Sequence, residues 1–415
     1  MTTRRELLSA AALSLVGIPA ISHAQSPKPI KIGFSISLSG ALAASGKAAL
    51  LATQIWNEEI NAQGGLLGRP VKLVYYDDQS SSSAIPGIYA KLLDVDKIDL
   101  VLSGYSTAHV IAAMPSVIQR KMAYIGLFGT QANSLFKYNR YFSMMPLGPE
   151  PALSLSKGFV QVATTLNPAP KSIAIVGADA EFPKKATDGI RQNLEGHSIK
   201  VVYDRSYPPS TVDFSPIARS IKAVEPDLIF LATLPGDSAG LVRAFQEVGV
   251  QAMMVGGPVI GPQVGQFKKQ MGPALNNLVT WDVYVPEKTM DFPGVSAFLR
   301  KYQQRAEKVG ADSLGFYVPP FAYARMEVLA QAVDKAGSLD QGLIANVLRS
   351  AAFKTVVGEV RFGDGGEWTQ ERSLLVQYRN VTPNSLEQFK HPGVQVILYP
   401  PQFKTGDVVT PYLAR

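Results

Sequence analysis

The residues best suited to chemistry in this chain stand where short apolar runs give way to helical patterns. Gly104-Tyr105-Ser106-Thr107-Ala108 lies between an apolar run at 99–104 and a helical pattern that begins at Ala108. A serine on such a turn has two uses. As a nucleophile it would need the G-x-S-x-G elbow, an imidazole base and an acid. Here the fifth position is Ala108 rather than glycine, and the late histidine, His391, stands in FKHPG with no strand-end loop around it. As a binding group, Ser106 and Thr107 offer hydroxyls beside the free N–H groups of a helix N-terminus, an arrangement that holds a carboxylate. Thr107 also suits the N-cap of that helix, and the two roles are compatible. The sequence favours binding, with a secreted α/β-hydrolase built on Ser106 and His391 as the alternative.

Other chemistries lack their residues. His109, His197 and His391 are far apart, and none belongs to an H-E-x-x-H pair. There is no cysteine, which excludes disulfides, thiolate metal sites and a thiol nucleophile. No P-loop and no G-x-G-x-x-G follows a strand pattern. Phe362-Gly363-Asp364-Gly365-Gly366-Glu367 lacks the spaced oxygen ligands of an EF-hand and reads as a turn. No catalytic residue, metal or cofactor is expected.

The elements that would position Ser106 and Thr107 repeat along the chain. Strands are expected at 30–37, 71–77, 99–104 and 122–127, with helices at 45–61, 84–94 and 108–119 between them. Ala48, Leu51, Ala52 and Ile55 carry the helical spacing, and Gln63-Gly64-Gly65 ends that helix. After Pro146-Leu147-Gly148-Pro149 the rhythm restarts, with strands at 172–177, 199–204, 227–232 and 252–257 and helices at 152–166, 183–195, 214–224 and 238–248. The strands are apolar throughout rather than alternating, as in parallel sheets covered on both faces. Repeated βα units imply doubly wound α/β lobes, and the length implies two of them. Helical patterns at 294–308, 316–336 and 340–350 follow, then a hairpin-like stretch, a strand at 373–379 and an ordered extension rich in proline and aromatics.

The first residues read as an export leader. Arg4 and Arg5 precede an apolar stretch from Leu7 to Ile21, and Ser22 and Ala24 suit signal peptidase, so residues 1–24 are expected to be cleaved. Thr3-Arg4-Arg5 suggests the twin-arginine route, although a Sec leader also fits. With no cysteine to carry a lipid, a free periplasmic protein is expected. The formal charge is +7, but without a basic run or arginine-rich helix it implies no nucleic-acid partner.

Asn57-Glu58-Glu59-Ile60-Asn61-Ala62-Gln63-Gly64-Gly65-Leu66-Leu67-Gly68-Arg69, followed by VKLVYYDDQS, resembles the first helix, glycine turn and second strand of the type I periplasmic binding proteins, the family of branched-chain amino-acid binding proteins. DFSPIARSIKAVEPDLIFLA at 213–232 is similar to that family's stretch before its mid-chain strand, and Leu38-Ser39-Gly40 to its first site loop. The resemblance runs in order from Ile30 to Val376. It implies two α/β lobes joined by a three-strand hinge, lobe one over 28–145 plus 283–370 and lobe two over 146–282 plus 371–415. It implies a monomer that traps a small molecule between the lobes by hinge closure, for the membrane permease subunits of an ABC importer. A soluble sensor feeding a separate receptor shares the fold.

Carried onto this chain, the resemblance puts ligand contacts at Ser39, at Tyr105-Ser106-Thr107, at Phe128-Gly129-Thr130, at Phe182, Leu234 and Pro258, and at Tyr317. The departures bear on the ligand. Phe128 replaces a small residue, Phe182 a tyrosine, and Leu234 a frequent aromatic. Pro258 stands where amino-acid binders carry an acid for the ligand's ammonium. Burying an ammonium without a counter-charge is costly, which argues against an ordinary α-amino acid unless Glu181 or Asp237 compensates. A ligand with a carboxylate or similar polar head and an apolar or aromatic body is expected.

Overall fold

In the computed structural model, which describes residues 27–413, the apolar runs become two separate sheets. The leader expected at 1–24 lies outside the described residues. The first sheet holds β1 (Ile30–Ile36), β2 (Val71–Asp77), β3 (Leu100–Tyr105), β4 (Tyr124–Leu127) and β5 (Tyr141–Ser143), in the order β2-β1-β3-β4-β5 with every pair parallel. Parallel neighbours need crossover helices, and these cover both faces. On one face α1 (Ala43–Ala62) buries Ala48, Leu51, Ala52 and Ile55 in a core with Ile30, Ile32 and Phe34. On the other, α2 (Ile85–Ala90) and α3 (Thr107–Gln119) bury Tyr89, Val110, Met114 and Val117 in a second cluster with Val101 and Tyr124. The helix expected at 84–94 is α2 followed by a π-type turn, Lys91–Val95.

The second sheet repeats this plan. α4 (Pro151–Ala163) leads into β6 (Ser172–Ala178), α5 (Glu181–Asn193), β7 (Lys200–Tyr207), α6 (Ser215–Val224), β8 (Leu228–Ala232) and α7 (Ser238–Val248). β9 (Gln251–Ala252), β10 (Met254–Gly257), α8 (Gly265–Met271) and β11 (Val279–Asp282) follow. Read from its edge, β7-β6-β8-β10-β11 is parallel throughout and reproduces the order of the first sheet. The strand expected at 252–257 is therefore two short pieces, broken at Met253.

The chain then returns to the first sheet. α9 (Val295–Ala306) and α10 (Pro319–Ala336) pack against α1, and α11 (Gln341–Ser350) and a hairpin of β12 (Phe353–Thr355) and β13 (Gly358–Val360) follow. Finally β14 (Leu374–Tyr378) and β15 (Gln395–Tyr399) extend the second sheet beyond β11 as antiparallel strands, and β16 (Tyr412–Leu413) pairs with β9. The C-terminal extension is thus partly sheet.

This topology selects where a ligand can sit. In an open sheet ordered 2-1-3-4-5, the crossovers leave the first and third strands in opposite directions, and a crevice opens at their carboxyl ends. The crevice of the first sheet lies at the loops after β1 and β3, and that of the second at the loops after β6 and β8. One glycine keeps the first of these loops tight. A Cβ on Gly46 would fall 1.8 Å from the carbonyl oxygen of Ser37, so α1 can begin against this loop only with glycine there.

Candidate functional site

The two sets of strand-end loops meet around a small cavity. Leu42, Tyr105, Ser106, Thr107, Phe128, Met145 and Tyr317 line it from the first lobe, and Phe182, Leu234, Pro235 and Ile260 from the second. The cavity is small, about 50 Å³, room for a few waters at roughly 10–15 Å³ each.

The wall is aromatic. Phe128 and Tyr317 have ring centroids 5.1 Å apart, and Tyr105 lies 6.2 Å from Phe128 and 6.4 Å from Tyr317. Trp281, behind the wall, links Tyr317 at 6.4 Å to Phe182 at 6.3 Å and so joins the two lobes. Tyr105 donates a hydrogen bond to the Tyr317 hydroxyl at 3.3 Å. Burial pushes both phenols above their ordinary range, so each stays neutral.

Two wall residues have a backbone that favours glycine, Ser106 with φ of 94° and Phe128 with φ of 59°. Such strain survives where the surroundings fix it, and it gathers at functional sites. Ser106 stands at the N-cap position of α3 but makes no capping bond with its side chain. Thr107 is the first helical residue rather than the cap, and its Oγ1 accepts the Thr130 N–H at 3.1 Å. That bond ties the loop after β4 to α3 and leaves the proton of the Thr107 hydroxyl for another acceptor.

Behind the wall, Ser106 Oγ lies 2.9 Å from His109 Nδ1, and His109 Nε2 lies 3.4 Å from Oδ1 of the buried Asp78. The imidazole partner of Ser106 is therefore His109, one helical turn on, and not His391, which is exposed near the C-terminus. The ring is also turned the wrong way for hydrolysis. In a Ser-His-Asp triad the serine takes Nε2 and the acid takes Nδ1.

Of the residues expected at the site, Tyr105, Ser106, Thr107, Phe128, Phe182, Leu234 and Tyr317 share this one cavity. Ser39, Gly129, Thr130 and Pro258 lie outside its wall. Ser39 is exposed and donates to Asp77 Oδ2 at 2.7 Å. Gly129 and Thr130 are buried behind the loop, and the Thr130 hydroxyl reaches Met145 Sδ at 3.5 Å. The Pro258 carbonyl accepts the Thr233 N–H at 3.1 Å. Sequence reasoning missed Leu42, Met145, Pro235 and Ile260, whose apolar side chains carry no signal for a cleft. It also missed His109, which the Ser106-x-x-His109 spacing places on the same helix face.

No wall residue carries a charge. Glu181 is exposed in the first turn of α5. Asp237 is buried, takes a 2.5 Å hydrogen bond from the Tyr207 hydroxyl, and lines an adjoining groove with Leu42, Leu234 and Pro235. Burial pushes its carboxyl up to about 6. Among the described residues no cluster of His, Asp and Glu could hold a metal ion, and no helix is long and apolar enough to cross a membrane.

Comparison with known proteins agrees with this architecture. The Leu/Ile/Val-binding protein BraC3 of Rhizobium johnstonii is 24% identical over 383 residues, covering 89% of this chain and 96% of that protein. Among solved structures, the branched-chain amino acid transporter substrate binding protein LivJ from Streptococcus pneumoniae, in complex with isoleucine, superposes with a TM-score of 0.73. It is 19% identical, and the match covers 85% of this chain and 97% of that one. A solute binding protein of an ABC transporter from Rhodopseudomonas palustris, in complex with 3,4-dihydroxy benzoic acid, gives a TM-score of 0.70 at 16% identity, covering 85% and 94%. Residues 29–380 match the model of the family described as periplasmic binding protein, so the chain belongs to that family, one of solute binders rather than enzymes.

Proposed function

We propose that the protein captures a small organic acid with an apolar or aromatic body in the cavity between its lobes and delivers it to an ABC importer. The observation that carries this reading is the wall itself, aromatic on both lobes, free of charge, and bordered by the uncapped N-terminus of α3. Helix N–H groups with the Ser106 and Thr107 hydroxyls offer a carboxylate the donors it needs. Nothing on the wall offers an ammonium a counter-charge. LivJ is named for branched-chain amino acids and the Rhodopseudomonas protein was solved with an aromatic acid; this wall resembles the needs of the second ligand more than the first.

In this reading, Ser106, Thr107 and Tyr317 of lobe one (28–145 plus 283–370) meet the ligand first. Lobe two (146–282 plus 371–415) then swings Phe182 and Leu234 over it. The protein is a monomer in the periplasm, freed of its leader, and its closed form docks on permease subunits.

Mass spectrometry of material released by denaturing freshly purified protein tests the cargo. An aromatic or aliphatic acid is expected, and a stoichiometric α-amino acid overturns the reading. Calorimetry with benzoate tests the donors. Thr107→Ala removes a hydroxyl donor to a charged acceptor, worth about 1.5 kcal/mol or more, so benzoate should bind roughly tenfold more weakly. An unchanged affinity removes Thr107 from the site.

A further inference from the structure

The cavity is smaller than the ligand proposed for it. About 50 Å³ holds roughly three to five heavy atoms, counting one for each water that would fit. A carboxylate and its first carbons fill that space, so the rest of an apolar body needs room elsewhere. Three wall residues show where that room is. Leu42, Leu234 and Pro235 line the cavity and also an adjoining groove of about 540 Å³. Ala41 and Leu42 reach this groove from the loop after β1, Val212 and Phe214 from the loop after β7, and Ala239 from the first turn of α7. It is thus built at strand carboxyl ends from both lobes, where the topology opens its crevice.

The chemistry of the groove is that of an apolar guest. Phe214 and Ala239 line it from the core, whereas Val212 is 93% exposed, an apolar side chain with no core to join. Two charged residues border the groove. Asp237 is committed to the Tyr207 hydroxyl, and its other oxygen, Oδ1, is sealed from water and so out of a guest's reach. Arg243 is exposed, where its charge stays hydrated. A second charged group on the ligand would therefore gain little here, while an apolar chain would leave water along the whole groove.

We infer that the groove is the second half of the solute site, and that the cargo is an elongated monocarboxylic acid with its head in the cavity and its apolar tail in the groove. The carboxylate lies at the N-terminus of α3, and the tail passes Leu42 on one lobe and Leu234 and Pro235 on the other before it reaches Val212. The cavity thus reads the head and the groove reads length. The tail also gives Val212 the apolar neighbour that the free protein denies it.

The inference rests on the cavity being the solute site, and the experiment separates the two. Calorimetry with straight-chain acids from propanoate to octanoate, using displacement for the weakest, reads affinity at each length. Each methylene beyond propanoate should tighten binding about two- to fourfold, the upper value being that of a fully buried methylene. Val212→Asp changes an exposed position on which the fold does not depend; it should weaken octanoate roughly tenfold and leave propanoate unchanged. In methyl-labelled protein, the terminal methyl of bound octanoate should show nuclear Overhauser contacts to Val212 or Ala239, which line the groove and not the cavity. Short acids that bind with no gain from added length overturn the inference and leave the functional reading standing. An octanoate affinity untouched by Val212→Asp, or a terminal methyl in contact with Phe128 and Tyr317 alone, overturns it equally. If no acid of any length binds, the functional reading falls and the inference falls with it.

Discussion

At the scale of single residues, Ser106 combines two features that are separable by mutation. Its hydroxyl meets His109, and its backbone sits at φ of 94° and ψ of 152°, a region natural to glycine. Ser106→Ala loses the hydroxyl and keeps the strain, whereas Ser106→Gly loses both. The glycine variant should be more stable than the alanine variant by about 1 kcal/mol or more, read as a higher urea midpoint with unchanged slope. Equal stabilities would mean that the backbone is not strained in solution. The strand-end position of Ser106 was legible because an apolar run meets a helical pattern there. Its conformation was not, since a serine in sequence gives no hint of a positive φ. Pro258 shows the limit from the other side. Sequence order brings it to the end of β10, but the bend after that strand spends its carbonyl on Thr233 and leaves it outside the wall.

At the scale of elements, the long parallel strands were legible because burial on both faces demands unbroken apolar runs. β5, at Tyr141–Ser143, is too short to show a period, and the antiparallel pairing of β14 and β15 depends on where the chain returns rather than on its local pattern. The FGDGGE turn gains a structural purpose once β5 is seen. The Ser143 N–H donates to the Gly366 carbonyl at 2.8 Å and the Trp368 indole donates to the Ser143 carbonyl at 2.8 Å, so the turn covers the open edge of the sheet. Glu367 sits in this lid with Oε2 sealed from water and unpartnered. Burial pushes its carboxyl up to about 8, against a smaller opposing effect from Ser143. Between 4.5 and 8 the folded chain thus holds a proton that the unfolded chain has lost, and stability falls as pH rises through that window. Glu367→Gln removes this titration. The variant should be the more stable at pH 8, by up to about 1.4 kcal/mol for each unit of the raised pKa, and the gap should close as pH falls toward 4.5. Urea unfolding at several pH values checks this, and a gap independent of pH would assign the difference to packing instead.

At the scale of the whole molecule, the two lobes are held by more than the segments that connect them. Lys268 of α8 is buried, donates to Gln395 Oε1 at 2.9 Å, and lies among the charges of Asp282, at the end of β11, and Asp312, which precedes α10. Asp312 also accepts the Gly265 N–H at 3.0 Å, so the segment that leads into the first lobe is bonded to a helix of the second. Burial drives all three groups toward neutrality: Lys268 is pushed down to about 8 despite the two carboxylates, Asp282 is pushed up to about 6 despite Lys268, and Asp312 is raised. Asp282 and Asp312 act on Lys268 through their field, and removing the cation leaves their charge less compensated. Lys268→Met should therefore destabilise the protein, by about 1–3 kcal/mol. The loss should be larger at pH 8 than at pH 5, because carboxyls deprived of their cation have folded pKa values raised further above the unfolded ones, and such groups cost stability as pH rises through them. Adding Asp312→Asn should restore part of the loss, since it removes one of the two stranded acids. Urea unfolding of the single and double variants at both pH values measures that coupling. Full additivity would mean that Lys268 and Asp312 do not act together, and that the lobes are joined at this point by the hydrogen bond to α8 alone.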